Sequence, residues 1–138
     1  MNTIDDCRLI RLPQIAMPQG NITPIEGGRT IPFEIERVFY LYDIPVDAGR
    51  GGHAHRVLQQ VIICVMGSFD FVVDDATQRR AVTLRRADEG LYVPSSIWGE
   101  LVNFSSGAVC LTLASIHFDE REYIRDYDEF IRYRRPAS

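Results

Sequence analysis

Lysine is absent from this chain, and all 15 of its basic residues are arginine. Without a lysine amino group the protein can neither form a Schiff base with a carbonyl substrate nor contain the lysine of a P-loop. The acidic residues outnumber the arginines, and the resulting net charge of −4 argues against a general nucleic-acid binder. Arginine can still hold phosphate oxygens locally, so the composition is compatible with a phosphorylated small molecule as the ligand.

Long apolar runs are also missing, and cysteine is scarce. No stretch is apolar over the roughly 20 residues that a membrane span requires. The segment from Met1 to Arg11 contains Asp5 and Asp6 and no apolar run, so we expect no secretion signal. The 3 cysteines are an odd number without metal-ligand spacing, which is typical of reduced thiols. We therefore expect a cytoplasmic protein without membrane contact.

The chain has the length and composition of one domain, residues 1–138, with 46% hydrophobic residues. Glycine and proline recur at short intervals, and the segments between them are rich in β-branched and aromatic residues, which is typical of an all-β fold. Strands are predicted at residues 37–42, 59–66, 69–73, 81–84, 90–93, 98–103 and 108–115. This number of strands fits a barrel or a sandwich.

The two ends of the chain differ from this central region. The segment up to Gly28 contains Pro13, Pro18 and Pro24, which predicts a loop or an edge strand. From residue 119 to residue 135, aromatic and apolar side chains recur at roughly helical spacing among charged residues. This pattern predicts a short amphipathic helix that packs on the barrel.

A glycine-rich segment precedes His53 and His55, two of the 3 histidines. In an extended segment, residues two apart point to the same face, so we expect both imidazoles to enter one cavity. The spacing of these histidines and Gln60, together with a later motif at residues 94–103, resembles the paired motifs of the cupin superfamily. The resemblance implies an all-β jelly-roll barrel.

Metal-dependent cupins take three histidines and one glutamate from these two motifs. The resemblance places Gln60 at the glutamate position and Gly99 at that of the last histidine. An uncharged amide and a missing side chain would hold a divalent ion poorly, so we expect no metal. Two imidazoles without a metal are available for proton transfer, which suits an ordinary pKa near 6.5.

The flanking segments carry a closer resemblance, to the sugar 3,4-ketoisomerases of the WxcM-like family. The similar segments are Ile31 to Tyr40, Arg50 to His55, Trp98, Asn103 to Ser106, Asp119 to Glu120 and Tyr123 to Phe130. Members of that family move the carbonyl group of thymidine diphosphate-linked 4-keto-6-deoxyglucose from carbon 4 to carbon 3. The resemblance implies this substrate, no cofactor, and a homodimer in which the N-terminal segment, about residues 1–28, is exchanged between subunits.

The isomerisation requires a base that removes a proton from one carbon and returns a proton to the next. One imidazole placed over both carbons can do this without an oxidant. By the family motif we assign this role to His55, and His53 would form a hydrogen bond with a sugar oxygen or help the proton move between the two oxygens. Tyr40 would donate to the developing oxyanion or orient the imidazole.

The remaining candidates are expected to contact the substrate. Arg37 and Arg50 are candidates for the diphosphate or the sugar, and Trp98 offers an apolar surface for the sugar pocket. Gln60 would contact the substrate or form a hydrogen bond inside the barrel.

Two other functions remain open from the sequence. A nucleotide-sugar 3,5-epimerase shares the barrel and the histidine base, but it requires a paired acid on the opposite face, and we find no obvious one. A non-catalytic sugar-binding cupin would retain the pocket without turnover.

Overall fold

The computed structural model describes residues 1–135, so the last three residues of the predicted domain lie outside the described range. An α-helix, α1, spans Tyr127–Arg134, and short 3-10 helices span Ile4–Asp6 and Glu120–Glu122. The strands are β1 Arg8–Arg11, β2 Arg37–Leu41, β3 Arg50–His55, β4 Gln60–Met66, β5 Phe69–Asp74, β6 Arg79–Leu84, β7 Glu89–Val93, β8 Trp98–Val102, β9 Val109–Ala114 and β10 Tyr123–Ile124.

These strands form two antiparallel five-stranded sheets. The first has the order β1-β7-β4-β9-β2, and the second has the order β10-β3-β8-β5-β6. Inward-facing side chains of both sheets, including Ile62 and Cys110 from the first and Phe71 and Leu101 from the second, form one hydrophobic core. The all-β barrel with a short C-terminal helix is therefore confirmed, and the seven strands that were predicted with limits, β2 and β4 to β9, lie within two residues of those limits.

Strand β4 shows why its sequence is apolar without alternation. Ile62 and Cys64 face the core between the sheets. Val61 and Ile63 point the other way and pack with Phe33 in a second cluster on the outer face of the first sheet. Because both faces of the strand are buried from residue 61 to residue 64, each of these positions favours an apolar side chain.

Glycine and aspartate residues shape the turns between these strands. Gly67, between β4 and β5, has a φ of +78°, a conformation that glycine adopts without a Cβ penalty. In the turn between β5 and β6, the Asp75 carboxylate accepts backbone hydrogen bonds from Thr77 and Gln78. These bonds replace strand pairing where the chain reverses.

The predicted C-terminal helix over residues 119–135 is too long. A 3-10 turn comes first, and Tyr123 and Ile124 then form β10, which pairs with β3 at His55 and Ala54. The helix begins only after Asp126, whose carboxylate accepts a hydrogen bond from the backbone N–H of Glu129. The spacing of Tyr123 looked helical because it precedes Tyr127 by four residues, but strand pairing decides its conformation.

The N-terminal segment was predicted to be a loop or an edge strand, and it contributes an edge strand. Strand β1 pairs with β7 at one edge of the first sheet, and an isolated bridge joins Ile15 to Ile22. Helix α1 packs on the outer face of the second sheet, where Phe130 joins Ala54, Trp98 and Ile124 in a third cluster. No helix in residues 1–135 is both long and apolar enough to cross a membrane.

Candidate active site

A cavity of about 180 Å³ lies between the two sheets. It is smaller than the roughly 300–1,000 Å³ of pockets that enclose drug-sized ligands, so it suits a group of about the size of one sugar ring. The exposed Arg50 and Arg125 lie on its open side. Its lining consists of Phe39, Leu41, Arg50, His53, Gln60, Ile62, Phe71, Gly99, Leu101, Thr112 and Arg125.

The two predicted histidines lie together on β3 and meet edge to face, with ring centroids 4.9 Å apart. His53 is half-buried and lines the cavity, whereas His55 is only 5% exposed and lies behind it. The Nδ1 atom of His55 is buried and forms no hydrogen bond with any residue from 1 to 135. The structure therefore favours His53 as the imidazole that reaches a ligand.

Both imidazoles are neutral near pH 7. Burial lowers the pKa of His53 to about 4; Arg125 and Arg37 also lower it, while Glu120 opposes them. Burial, the neighbouring His53 and the same two arginines lower the pKa of His55 to about 3. The expected ordinary pKa near 6.5 does not hold for this site, because the rings have lost much of their hydration. A neutral imidazole can accept a proton, which a base requires.

Tyr123 is a site residue that the sequence reading missed. Its ring centroid lies 4.9 Å from that of His53 and 4.5 Å from that of His55. Its position was obscured by the helical interpretation of residues 119–135. Tyr123 and Arg125 are two residues apart in a segment that carried the family resemblance, and that spacing was the available signal.

Three arginines lie near the open side of the cavity, and two of them, Arg50 and Arg125, line it. Arg37 lies over the ring of Phe39 at 4.4 Å and donates a hydrogen bond of 3.1 Å to the Tyr123 hydroxyl. Arg125 is held by the Glu120 carboxylate through two hydrogen bonds of 2.7 and 3.0 Å. Arg50 contributes to the lining directly. The position of Arg50 is thus compatible with the expected substrate contact, and Arg125 adds a second cation, whereas Arg37 is not part of the lining and donates to Tyr123 instead.

The interior end of the cavity combines a few polar groups with an apolar surface. Gln60 and Thr112 are nearly buried and line it, as do the apolar side chains of Ile62 and Leu101. Gly99 lies opposite His53 in the β3–β8 pairing. A Cβ atom at Gly99 would lie 2.6 Å from Cζ of Phe71, so the phenyl ring occupies the space that a side chain at position 99 would need.

The structure places Tyr40 outside the site, contrary to the prediction. Tyr40 is 60% exposed and lies on the outer face of β2, next to Tyr42. Arg37, Phe39 and Leu41 share the inner face of the same strand. Because side chains of a strand alternate between faces, Arg37 and Tyr40, three residues apart, cannot both face the cavity.

Trp98 is also outside the cavity. It is 5% exposed and packs with Ala54, Ile124 and Phe130 under helix α1. Its indole N–H donates to the Glu100 carboxylate at 3.2 Å. Since Gly99 faces the cavity, its neighbour Trp98 must face the other way.

The donor set of the cavity is poor for a metal ion. It offers imidazole, the Gln60 amide and the Thr112 hydroxyl, but no carboxylate or thiol. Within residues 1–135, no three His, Cys, Asp or Glu side chains lie close enough together to hold a metal. The residues present do not fit the ligand set of a metal-dependent cupin.

Comparison with known proteins gives one family. The family model "FdtA: WxcM-like, C-terminal" matches residues 5–135. A TDP-4-oxo-6-deoxy-alpha-D-glucose-3,4-oxoisomerase from Aneurinibacillus thermoaerophilus is 40% identical over 126 residues, which cover 91% of each chain.

Solved structures agree with this match. QdtA, a sugar 3,4-ketoisomerase from Thermoanaerobacterium thermosaccharolyticum in complex with TDP, superposes with a TM-score of 0.92 at 38% identity and covers 95% of this chain and 96% of its own. A histidine-to-asparagine variant of QdtA has been solved with TDP-4-keto-6-deoxyglucose. The TDP-quinovose 3,4-ketoisomerase WlaRB from Campylobacter jejuni gives a TM-score of 0.89 at 41% identity, covering 94% of this chain and 99% of its own.

More distant structures share the fold alone. The 3'-monoepimerase ChmJ from Streptomyces bikiniensis is 13% identical, with a TM-score of 0.75 over 86% of this chain and 68% of its own.

Proposed function

This chain belongs to the FdtA family of WxcM-like proteins, and from that premise we propose that it is a 3,4-ketoisomerase of a TDP-linked 4-keto-6-deoxy sugar. The predicted family resemblance and cupin-type barrel are confirmed by the same matches. The observation that supports the activity most strongly is a neutral imidazole, His53, at the wall of a cavity of about 180 Å³.

The reaction needs one proton moved between adjacent carbons. A neutral imidazole removes the proton from carbon 3, the electron pair of that C–H bond forms a carbon–carbon double bond to carbon 4, and the π pair of the carbonyl at carbon 4 moves onto its oxygen, giving an enediolate. The hydroxyl proton passes from oxygen 3 to oxygen 4. The N–H proton of the imidazolium exchanges with water, the electron pair of the double bond then takes a proton from the imidazolium at carbon 4, and the carbonyl forms at carbon 3. Electrons balance without an oxidant, so the chain's own acid and base groups suffice.

We assign the role of the catalytic base to His53. The family motif had favoured His55 for this role. His53 lines the cavity, whereas the ring of His55 lies behind it and is 5% exposed. A base must reach within hydrogen-bond distance of the carbon-bound proton in the bound substrate. His55 supports its neighbour through their edge-to-face contact at 4.9 Å.

The rest of the cavity has a matching place for each part of the substrate. Gln60 and Thr112 can hydrogen-bond sugar oxygens, and the apolar lining around Phe71 suits a methyl group at carbon 6. The diphosphate would lie at the open side, near Arg50 and Arg125, because the cavity is too small to hold the nucleotide as well.

We propose that neither a metal nor a cofactor takes part. The support is the donor set, in which Gln60 and Gly99 occupy the positions that would otherwise supply two ligands. Full activity after treatment with a chelator and gel filtration is the expected result. Loss of activity that added Zn²⁺, Mn²⁺ or Fe²⁺ restores would contradict it.

Product analysis separates this function from the two alternatives. The protein is incubated with TDP-4-keto-6-deoxyglucose, and the sugar carbons are followed by carbon-13 NMR. We expect the carbonyl signal to move from carbon 4 to carbon 3. A 4-keto product inverted at carbon 3 or 5 would indicate an epimerase, and an unchanged sugar that nevertheless binds would indicate a binding protein.

We also propose a homodimer that exchanges the N-terminal segment, about residues 1–28. The outer face of the first sheet exposes Val38, Tyr40 and Val65, and β2 and β1 lie at its edges. Open strand edges and exposed apolar side chains favour pairing with a second copy. Light scattering should give twice the chain mass of 15.8 kDa, and a monomer at micromolar concentration would contradict the proposal.

A cytoplasmic location is proposed with it. Cys7, Cys64 and Cys110 are buried thiols, as expected of a protein in a reducing compartment.

A further inference from the structure

We propose that Tyr123 is a positioning residue for the isomerisation, which fixes the orientation of the His53 and His55 rings by packing against both. This inference rests on the proposed function of the cavity. Tyr123 acts through the imidazoles, not by contact with the substrate.

Strand pairing places Tyr123 beside the histidines. In the β10–β3 register, Tyr123 is directly opposite His55, and Ile124 is opposite Ala54. Ile124 and Ala54 are buried on the outer face of the sheet, so Tyr123 and His55 share the inner face. A two-residue strand thus brings an aromatic ring to the site from 68 positions further along the chain.

The contacts involve both rings. The Tyr123 ring meets His55 at 4.5 Å with an interplanar angle of 65°, and it meets His53 at 4.9 Å with an angle of 57°. The two imidazoles are themselves 4.9 Å apart at 82°. Each ring of this trio touches the other two, so neither imidazole can turn about its Cβ–Cγ bond without displacing the tyrosine.

This packing takes the place of a hydrogen bond. The imidazole of a catalytic histidine is usually oriented by a carboxylate or carbonyl that accepts from its second nitrogen. Here the base is His53, and the ring that supports it, His55, has no such partner either, because its Nδ1 is buried and forms no hydrogen bond within residues 1–135. Ring contact is therefore the restraint that the structure provides for the orientation of the pair.

Tyr123 is itself held from two directions. Arg37 donates to its hydroxyl oxygen at 3.1 Å, and the Arg125 guanidinium lies over its ring at 4.3 Å. Glu120 fixes Arg125 through two hydrogen bonds. The tyrosine thus links the histidine pair to two arginines on the open side of the cavity.

The test uses two substitutions and two matched controls. Tyr123→Phe removes only the bond from Arg37, and Tyr123→Ala removes the ring as well. Tyr127→Phe and Tyr127→Ala make the same changes at a tyrosine on helix α1, whose hydroxyl donates to Asp74 at 2.8 Å and whose ring packs on Trp98. Tyr127 lies away from the cavity, so its variants report the effect of losing an aromatic contact alone.

We expect the Tyr123 variants to lower kcat and to leave KM nearly unchanged. Tyr123→Ala should lower kcat by roughly 100-fold, the order of loss that a misplaced catalytic group causes, with KM changed by less than about threefold. Tyr123→Phe should lose at most about tenfold in kcat, because the ring packing remains. Both Tyr127 variants should keep kcat within about twofold.

A second readout does not depend on turnover. Imidazole NMR signals of His53 and His55 are titrated with pH in each variant. Arg37 on β2, Arg125 and Glu120 after β9, and the two histidines themselves are the charged and titratable groups that face the pair. Removing the Tyr123 ring admits water beside the imidazoles, so their titration should move upward towards pH 6.5 in Tyr123→Ala and little in Tyr127→Ala.

Three outcomes would overturn the proposal. They are a kcat of Tyr123→Ala within twofold of wild type, a raised KM at unchanged kcat, and imidazole titrations identical in all variants. Should Tyr123→Ala fail to fold, Tyr123→Leu replaces it under the same criteria. If the wild-type protein proves inactive, the proposed function fails, while the NMR comparison still decides whether Tyr123 orients the rings.

Discussion

The two faces of the second sheet differ in role, although neighbouring residues build them. The outward side chains form a dry cluster under helix α1, and the inward ones border the cavity. The outward set is Ala54, Trp98 and Ile124, which pack against Phe130 of α1, and the inward set is His53, Gly99 and Tyr123. The alternation of side chains along a strand separates packing from chemistry within single residue steps.

The two faces also differ in how their polar groups are satisfied. On the outer face, the indole N–H of Trp98 donates to Glu100, and the Tyr127 hydroxyl donates to Asp74. On the inner face, Nδ1 of His55 is buried without a partner in residues 1–135. An unsatisfied buried group costs about 1–3 kcal/mol, so the cavity face gives up stability that the outer face retains.

The largest effect is expected from His53→Asn on the cavity face. The asparagine amide cannot accept the carbon-bound proton, so kcat should fall by roughly 10³- to 10⁴-fold. The melting temperature should stay near that of wild type, since His53 is only half-buried. Steady-state kinetics and thermal unfolding measure the two effects. A variant that keeps a tenth of the wild-type kcat would show that another group is the base.

Phe130→Ala tests the outer face. Removing a fully buried phenylalanine should lower the free energy of unfolding by roughly 3–5 kcal/mol. Below its melting transition, the variant should keep kcat within a few-fold of wild type, because the cluster lies behind the sheet. Urea unfolding and kinetics on the folded fraction check this. A 100-fold loss of kcat at unchanged stability would mean that the two faces are not separable.

Acid should lower the free energy of unfolding through the two histidines on the cavity face. His53 and His55 have a lowered pKa, about 4 and about 3, against 6.5 for the free side chain. From pH 6.5 downwards the unfolded chain therefore binds protons that the folded protein does not. The free energy of unfolding should fall by at most about 1.4 kcal/mol per pH unit for each imidazole, until the folded pKa values are reached.

Urea unfolding at pH 7 and pH 5 measures this loss. His55→Asn should flatten the dependence, because it removes one of the two side chains whose pKa is lowered in the folded protein. Asp70 and Asp75 have a pKa lowered from the ordinary value of 3.8, so both carboxylates stay ionised between pH 5 and pH 7 in the folded and in the unfolded chain. Equal stability of the wild-type protein at both values of pH would contradict the neutral, buried state of the pair.

The smallest effect is expected from Tyr40→Phe. The hydroxyl of this exposed residue lies on the outer face of the first sheet, so its removal should change kcat by less than about twofold. Kinetics at saturating substrate are sufficient, with Tyr123→Phe as the comparison on the cavity face. A tenfold loss in Tyr40→Phe would restore the role that the sequence suggested for this tyrosine.

Much of the fold was predictable because its signals are local. The strands carry β-branched and aromatic runs, and Gly67 and the aspartates at residues 74–75 mark the reversals between them. The C-terminal segment was mispredicted since the pairing of β10 with β3 joins residues far apart in sequence. Spacing within a segment carries no information about such a partner.

The site was predictable in part. The motif spacing identified His53, His55, Gln60 and Arg50, which the structure brings together. Tyr40 and Trp98 were assigned to the wrong face of their strands. Tyr40 is three residues from Arg37, and Trp98 adjoins Gly99, so the alternation of side chains along a strand prevents both residues of each pair from facing the cavity. Which of the two histidines reaches the cavity was not predictable, because the burial of each side chain depends on how the two sheets pack over it.

Deuterium incorporation tests most directly whether His53 is the base. Wild-type protein and His53→Asn are incubated with TDP-4-keto-6-deoxyglucose in heavy water, and the products are examined by NMR. The account predicts that wild type gives a 3-keto product with deuterium at carbon 4 and none at carbon 5, and that His53→Asn incorporates none above background. Deuterium at carbon 5, or incorporation by His53→Asn at the wild-type rate, would contradict it.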